Sequence, residues 1–321
     1  VSIVYQVKTS CFLSTHQKYK NLAWESAANI LFPNNFDKSK KYPAIVSVHP
    51  IGSCKEQTSG NIYGQALADA GFVVLVIDAS FQGESGGEPR FIENPYHRVE
   101  DIRYAVDYLV TQDFVDENRI GALGVCGGGA YVLNTAMTEK RIKAVTSITG
   151  VNFGRMTREG YGGTGAALIE GLEAIAQQRT AEARGAALLV NDLLPPSVEE
   201  GKKAGITDID PLEATEYYKT TRGQQPNGAT SALFSRMSVA LGWDAFHLAE
   251  VLLTQPILVV IGDKPGAFGA YRDGHEIVRR AASTQKELLV LENTSHYELY
   301  DRPEPVAKAL AKVIPFFNAH L

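Results

Sequence analysis

Cysteine is rare in this sequence: Cys11, Cys54 and Cys126 are the three in 321 residues. An odd number at wide spacing supplies neither a disulfide framework nor the ligands of a metal site, so a reducing compartment, and with it a cytoplasmic setting, is expected. A surplus of either charge is also missing. The 31 Lys and Arg are interspersed with 36 Asp and Glu, giving a net charge of −5, and no basic face forms that could follow a nucleic acid or an anionic membrane. Nucleic-acid and membrane partners are therefore not expected, whereas small, near-neutral substrates are. No apolar run reaches the roughly 18 residues of a spanning helix. Residues 1–10 have no charged stretch leading into an apolar core, as a signal peptide would. Internal repeats and low-complexity tracts are absent as well.

What is present is 45% hydrophobic residues, enough for a large core in a chain too long for most single compact units. Strands are predicted at Val4 to Lys8, Ala27 to Leu31, Pro43 to Val48, Phe72 to Ile77, Arg119 to Val125, Ile142 to Ile148, Pro256 to Ile261 and Leu288 to Leu291. Between and after them, helices are predicted at Asn61 to Ala70, Pro95 to Val110, Gly127 to Met137 and Pro305 to His320. In Pro95 to Val110, the residues Val99, Ile102, Val106 and Leu109 fall on one face. Such alternation predicts an α/β fold, a mostly parallel sheet with helices on both faces. It stops between Val151 and Leu253, where Gly-rich turns and helical pieces such as Ala167 to Thr180 and Thr230 to Leu253 take over. A core of residues 1–150 and 254–321 and a mainly helical cap, residues 151–253, are expected.

In an open parallel sheet, reactive groups gather at the carboxyl ends of strands. Four such ends carry candidates: His49-Pro50-Ile51-Gly52, Cys126, Gly262-Asp263, and the loop of residues 293–296 that ends in His296. The turn Gly124-Val125-Cys126-Gly127-Gly128 has glycine two residues before and two after its centre, where a sharp strand-to-helix turn crowds the backbone. Cysteine at the centre predicts a nucleophile, because a thiolate is formed readily beside a histidine or a helix N-terminus. His296 is the candidate base. Asp263 is the candidate acid that orients it, with Asp301 and Asp244 as rivals. For the oxyanion hole, Pro50 has no N–H, so Ile51 and Gly127 are the expected donors. His49 is expected to be structural. Glu56 and Glu84, on rim loops, either gate the thiol or pin their loops. The cap aromatics Phe153, Tyr161, Tyr217, Tyr218, Phe234, Trp243 and Phe246 either line a pocket or form the cap's own core. Glu84, Trp243 and Phe246 are singled out as substrate-binding candidates.

The segments HPIGSCKEQ (49–57), DASFQGESGGEPR (78–90), RVEDIRYAVDY (98–108), GVCGGGAY (124–131), GDKPGAFGAYR (262–272) and SHYELYD (295–301) resemble bacterial α/β-hydrolases of the dienelactone-hydrolase-like group, including a branch related to the X-Pro dipeptidyl peptidases. The resemblance covers nearly the whole chain. It implies the α/β-hydrolase fold and a Cys-His-Asp triad of Cys126, His296 and Asp263. The related peptidases use serine instead.

The expected activity is hydrolysis of a carboxylic ester, lactone or thioester through an acyl-cysteine, with no cofactor or metal. An acyltransferase would use the same triad; a peptidase or a non-catalytic binding protein are the remaining alternatives. A homodimer is expected by analogy with such folds.

Overall fold

The computed structural model describes residues 14–21, 23–159 and 165–321. The expected strand Val4 to Lys8, together with Cys11 and Tyr161, lies outside them. The strands in chain order are β1 (Ser14–Lys20), β2 (Glu25–Leu31), β3 (Tyr42–Val48), β4 (Val73–Ile77), β5 (Val115–Val125), β6 (Ile142–Ile148), β7 (Val190–Asp192), β8 (Ser231–Leu233), β9 (Ile257–Gly262) and β10 (Lys286–Leu291). Eight of them form one sheet in the order β1-β2-β4-β3-β5-β6-β9-β10. β2 runs antiparallel to both β1 and β4, and every other neighbouring pair is parallel. The central strands are buried on both faces, which is why β4 reads as the unbroken apolar run VVLVI.

The helices in chain order are α1 (Gln65–Asp69), α2 (Pro95–Val110), α3 (Gly127–Thr138), α4 (Phe153–Glu159), α5 (Gly165–Ala183), α6 (Val198–Lys203), α7 (Ile209–Lys219), α8 (Ser238–Leu241), α9 (Ala249–Leu252), α10 (Ala270–Arg280), α11 (Glu298–Asp301) and α12 (Pro303–His320). Each sheet face has its own apolar cluster. One joins Val99, Ile102 and Val106 of α2 and Ala130 and Leu133 of α3 to Val46 and Ala122. The other joins Leu67 of α1 and Ala309, Val313 and Phe317 of α12 to Ile45 and Leu123. Ile45 and Val46 are adjacent and point to opposite faces, as the period-2 geometry of a strand requires. No helix among the described residues is long and apolar enough to cross a membrane.

Three expectations need correction. β1 was not legible: STHQKYK is polar, and as the edge strand it buries mainly Tyr19, so it carries no apolar signal. The helix expected at Asn61 to Ala70 starts as a π-helical turn, Thr58–Gly64, before α1. The helix expected at Thr230 to Leu253 is instead β8, a 3₁₀ turn and the short α8 and α9. The segment between β6 and β9 thus contains a small antiparallel pair, β7 with β8, among its helices. Its last part packs into the main core through Ala240, Trp243, Ala245, Phe246, Ala249 and Leu253.

Candidate active site

β5 ends at Val125 and α3 starts at Gly127, so Cys126 alone turns the chain from sheet to helix. It does so at φ 54° and ψ −125°, a conformation that a residue with a side chain holds only where its surroundings impose it. They do so through three backbone bonds: the Cys126 N–H donates to Ile148 at 2.9 Å, and the Cys126 carbonyl accepts from Gly129 at 2.9 Å and Val151 at 3.0 Å. The turn also needs bare backbone on either side. A methyl group on Gly124 would overlap the Gly128 carbonyl, and one on Gly128 would overlap the Val48 carbonyl oxygen and lie 2.8 Å from that of His49. Gly128→Ala is therefore expected to lower the thermal midpoint by about 5 °C or more. Gly171→Ala, in α5 with open space around it, should leave the midpoint unchanged or raise it slightly. Calorimetry on the two variants checks this, and equal midpoints would contradict the crowding.

The Cys126 thiol is nearly buried, and burial pushes its pKa up to about 11. The Asp210 charge pushes the same way; the Tyr300 hydroxyl and the backbone N–H groups of Gly127 and Ile51 pull the other way. Both N–H groups expected to form the oxyanion hole thus lie near enough to the sulfur to favour its thiolate. The loop carrying Ile51 is held from below by His49, whose Nδ1 lies 2.6 Å from the Pro50 carbonyl oxygen and whose Nε2 accepts from the Ala79 N–H at 3.0 Å. Burial, then the neighbouring Arg98 charge, keep this imidazole neutral. His49 is structural, as expected.

His296 lies in the turn between β10 and α11, 4% exposed. Its Nε2 is 3.4 Å from the Tyr300 hydroxyl, which also faces the thiol, so Tyr300 joins the two residues. Its Nδ1 is buried with no partner among the described residues. Burial lowers the imidazole pKa to about 3. With thiol and imidazole shifted in opposite directions, the neutral pair is favoured in this geometry and a free-energy gap separates it from the thiolate–imidazolium pair. A carboxylate on Nδ1 is what would narrow that gap.

Asp263 does not supply it. β9 ends at Gly262 and the Asp263 side chain turns out to solvent, where its Oδ1 accepts from the Thr294 N–H at 3.2 Å. The rivals are also engaged elsewhere. Asp301 pairs with Arg222 at 2.7 Å, and Asp244 accepts from Asn152 at 2.7 Å and from the Phe246 N–H at 3.0 Å.

A cavity of about 420 Å³ opens on Cys126, lined mainly by apolar groups including Ile51, Phe153, Met156, Leu194, Met237 and Phe268. Phe153 and Tyr218 line it as expected of pocket aromatics. Trp243 and Phe246 do not: both are core residues, Trp243 against the Tyr131 ring at 5.2 Å. Glu84 is not among the lining residues either. With Glu56 and Asp78 it holds the buried Lys55 ammonium, and so pins its loop. The sequence reading missed Tyr300, although its spacing of four residues from His296 places both on one side of a helical turn. It also missed Asp210, whose carboxyl burial pushes up to about 7. Among the described residues, no group of three or more His, Cys, Asp or Glu is placed to hold a metal ion.

A mostly parallel sheet covered on both faces, with a strained elbow at the end of its central strand and a histidine loop after its last, defines an α/β-hydrolase. The model of the X-Pro dipeptidyl-peptidase (S15) family matches residues 26–193, and the chain belongs to that family. The uncharacterized protein YcjY of Escherichia coli strain K12 is 39% identical over 297 residues, covering 92% of this chain and 94% of its own. The crystal structure of the hypothetical protein PA2218 of Pseudomonas aeruginosa covers the whole of both chains with a TM-score of 0.87 and 29% identity. A soluble variant of the monoglyceride lipase of Saccharomyces cerevisiae, in complex with a substrate analogue, shares the fold at a TM-score of 0.68, with 13% identity, covering 100% of this chain and 99% of its own. The family match names the X-Pro dipeptidyl-peptidase side of the expected resemblance and not the dienelactone-hydrolase side.

Proposed function

We propose that this chain hydrolyses carboxylic esters, lactones or thioesters through an acyl-enzyme on Cys126. The observation that carries the reading is the thiol itself. It is held at a strained elbow, faced by two backbone N–H groups, at the wall of an apolar cavity. In the first half-reaction, the Cys126 S–H proton passes to Nε2 of His296 while sulfur bonds to the substrate carbonyl carbon. The carbonyl oxygen gains negative charge, which the N–H groups of Ile51 and Gly127 stabilise. The bond from that carbon to the leaving oxygen, or to the leaving sulfur in a thioester, then breaks, and the leaving atom takes the proton from Nε2. In the second, water gives a proton to Nε2 and its oxygen adds to the acyl carbon. The carbon–sulfur bond breaks, the acid departs and the proton returns to sulfur.

Family membership favours a second reading, cleavage after proline in a peptide. Against it, Glu93, which with Asp192 is one of two carboxylates lining the cavity, is occupied: it accepts from Tyr131 at 2.8 Å and Gln82 at 2.6 Å and pairs with Arg98 at 3.3 Å. An unprotonated amine is also a poorer leaving group than a thiolate, which favours esters over amides.

A turnover panel of short- and long-acyl p-nitrophenyl esters, lactones, acyl thioesters and an X-Pro p-nitroanilide separates the two. Esters or thioesters should be the better substrates by at least a hundredfold; the reverse order would sink the proposal. Filling the cavity should redirect the choice within the esters. Ala232→Phe, at a buried position of its wall, is expected to lower kcat/KM for long acyl chains about tenfold while sparing acetyl esters. An equal loss for both would place the acyl group elsewhere.

A further inference from the structure

Among the described residues, the buried polar atoms at this site without a partner include Nδ1 of His296 and Oδ1 of Asp210. A buried polar atom without a partner is costly and calls for an explanation. Both residues border Phe268, whose ring meets the imidazole edge-on with centroids 5.9 Å apart and whose N–H donates to Oδ2 of Asp210 at 2.8 Å. Asp210 is 1% exposed.

The helix that carries it lies along the histidine's own loop. Asp210, Glu213 and Tyr217 of α7 are spaced to share one face. Glu213 accepts from the hydroxyl of Ser295 at 2.6 Å, and Tyr217 meets the Tyr300 ring edge-on with centroids 5.0 Å apart. The start of α7 is also fixed to the loop after β9, where Asp208 accepts from the Ala267 N–H at 3.0 Å beside the Asp210–Phe268 bond. In that loop Gly266 has no side chain, and a Cβ built on it would fall on the Asp210 carboxylate. The space that a side chain from the loop would fill therefore holds a carboxylate from the cap. In chain order Asp210 stands between Cys126 and His296, as the acid does in this fold.

We propose that Asp210, and not Asp263, is the carboxylate that positions His296: with substrate bound, its Oδ1 accepts the hydrogen on Nδ1, which leaves Nε2 free to take the proton of Cys126. The proposal rests on the reading of Cys126 as nucleophile. In the structure the two atoms are not hydrogen-bonded to each other, so the proposed contact requires the start of α7 and the histidine loop to approach on binding. Asp210 touches neither thiol nor substrate and acts through the imidazole, which makes it a positioning residue.

The test is a set of variants assayed on the best ester of the panel. Asp210→Asn is expected to lower kcat at least a hundredfold, with KM within threefold and the thermal midpoint nearly unchanged, because an amide oxygen can still accept from Phe268. Asp263→Asn should stay within twofold of the parent. A readout independent of rate is the imidazole proton. In ¹⁵N-histidine-labelled protein carrying a trifluoromethyl ketone analogue of that ester on Cys126, a low-field Nδ1 proton is expected, and it should vanish in Asp210→Asn. Should Asp210 variants fold poorly, Asp210→Gly with Gly266→Asp returns a carboxylate to the same space from the loop and should recover at least tenfold over Asp210→Gly alone. An active Asp210→Asn that keeps the low-field proton, an inactive Asp263→Asn, or a folded double variant without recovery each overturns the assignment. Cys126→Ala separates this failure from that of the underlying reading, since an active Cys126→Ala would remove the nucleophile whatever Asp210 does.

Discussion

Cys126→Ala is expected to lower kcat/KM on the best ester by about a thousandfold or more, as removal of a nucleophile does elsewhere. The thermal midpoint should hold. Alanine carries the same backbone penalty at φ 54° as cysteine, and the three bonds that hold the turn come from backbone atoms. What is lost is the sulfur that faces Ile51, Gly127 and Tyr300. Steady-state kinetics beside a thermal melt checks the variant, and a loss below tenfold in folded protein would mean that another group carries the acyl chain.

His296→Gln should cost about as much, and combining it with Cys126→Ala should cost little more than either alone, because the two act as one unit. The pH behaviour of the parent protein tests the same pairing. Burial holds the thiol pKa up at about 11 and the imidazole pKa down at about 3, so both groups are neutral across the range between. A raised thiol pKa means that thiolate is scarce at neutral pH and grows about tenfold per pH unit. Alkylation of Cys126 by iodoacetamide in the absence of substrate should therefore climb steadily from pH 6 to pH 10, with no plateau on the acid side. A fast, flat rate below pH 7 would instead reveal a standing thiolate–imidazolium pair.

The elbow was legible because its constraint is local. Gly124 is crowded by Gly128 within five residues, and the strand before and helix after them have clear periods, although Gly128 itself is crowded from outside by the Val48 and His49 carbonyls. Ile51 is named by subtraction, since Pro50 has no N–H, and its N–H lies beside the Cys126 sulfur. Asp263 misled because a strand end fixes where the chain arrives but not which way the next side chain turns; here it turns to solvent. Asp210 was illegible for the complementary reason. Its relation to His296 is made by tertiary packing of α7, and the stretch Asp208-Ile209-Asp210-Pro211 reads simply as a helix start, which it also is. Trp243 and Phe246 show the same limit: aromatic residues in an insertion fill the core as readily as a pocket.

The most direct measurement is intact-protein and peptide mass spectrometry after brief exposure to an activated ester. One acyl adduct should appear, on the peptide containing Cys126, and hydroxylamine at neutral pH should remove it, as it does a thioester. An adduct on a serine, or steady turnover with Cys126 blocked by alkylation, would contradict the account.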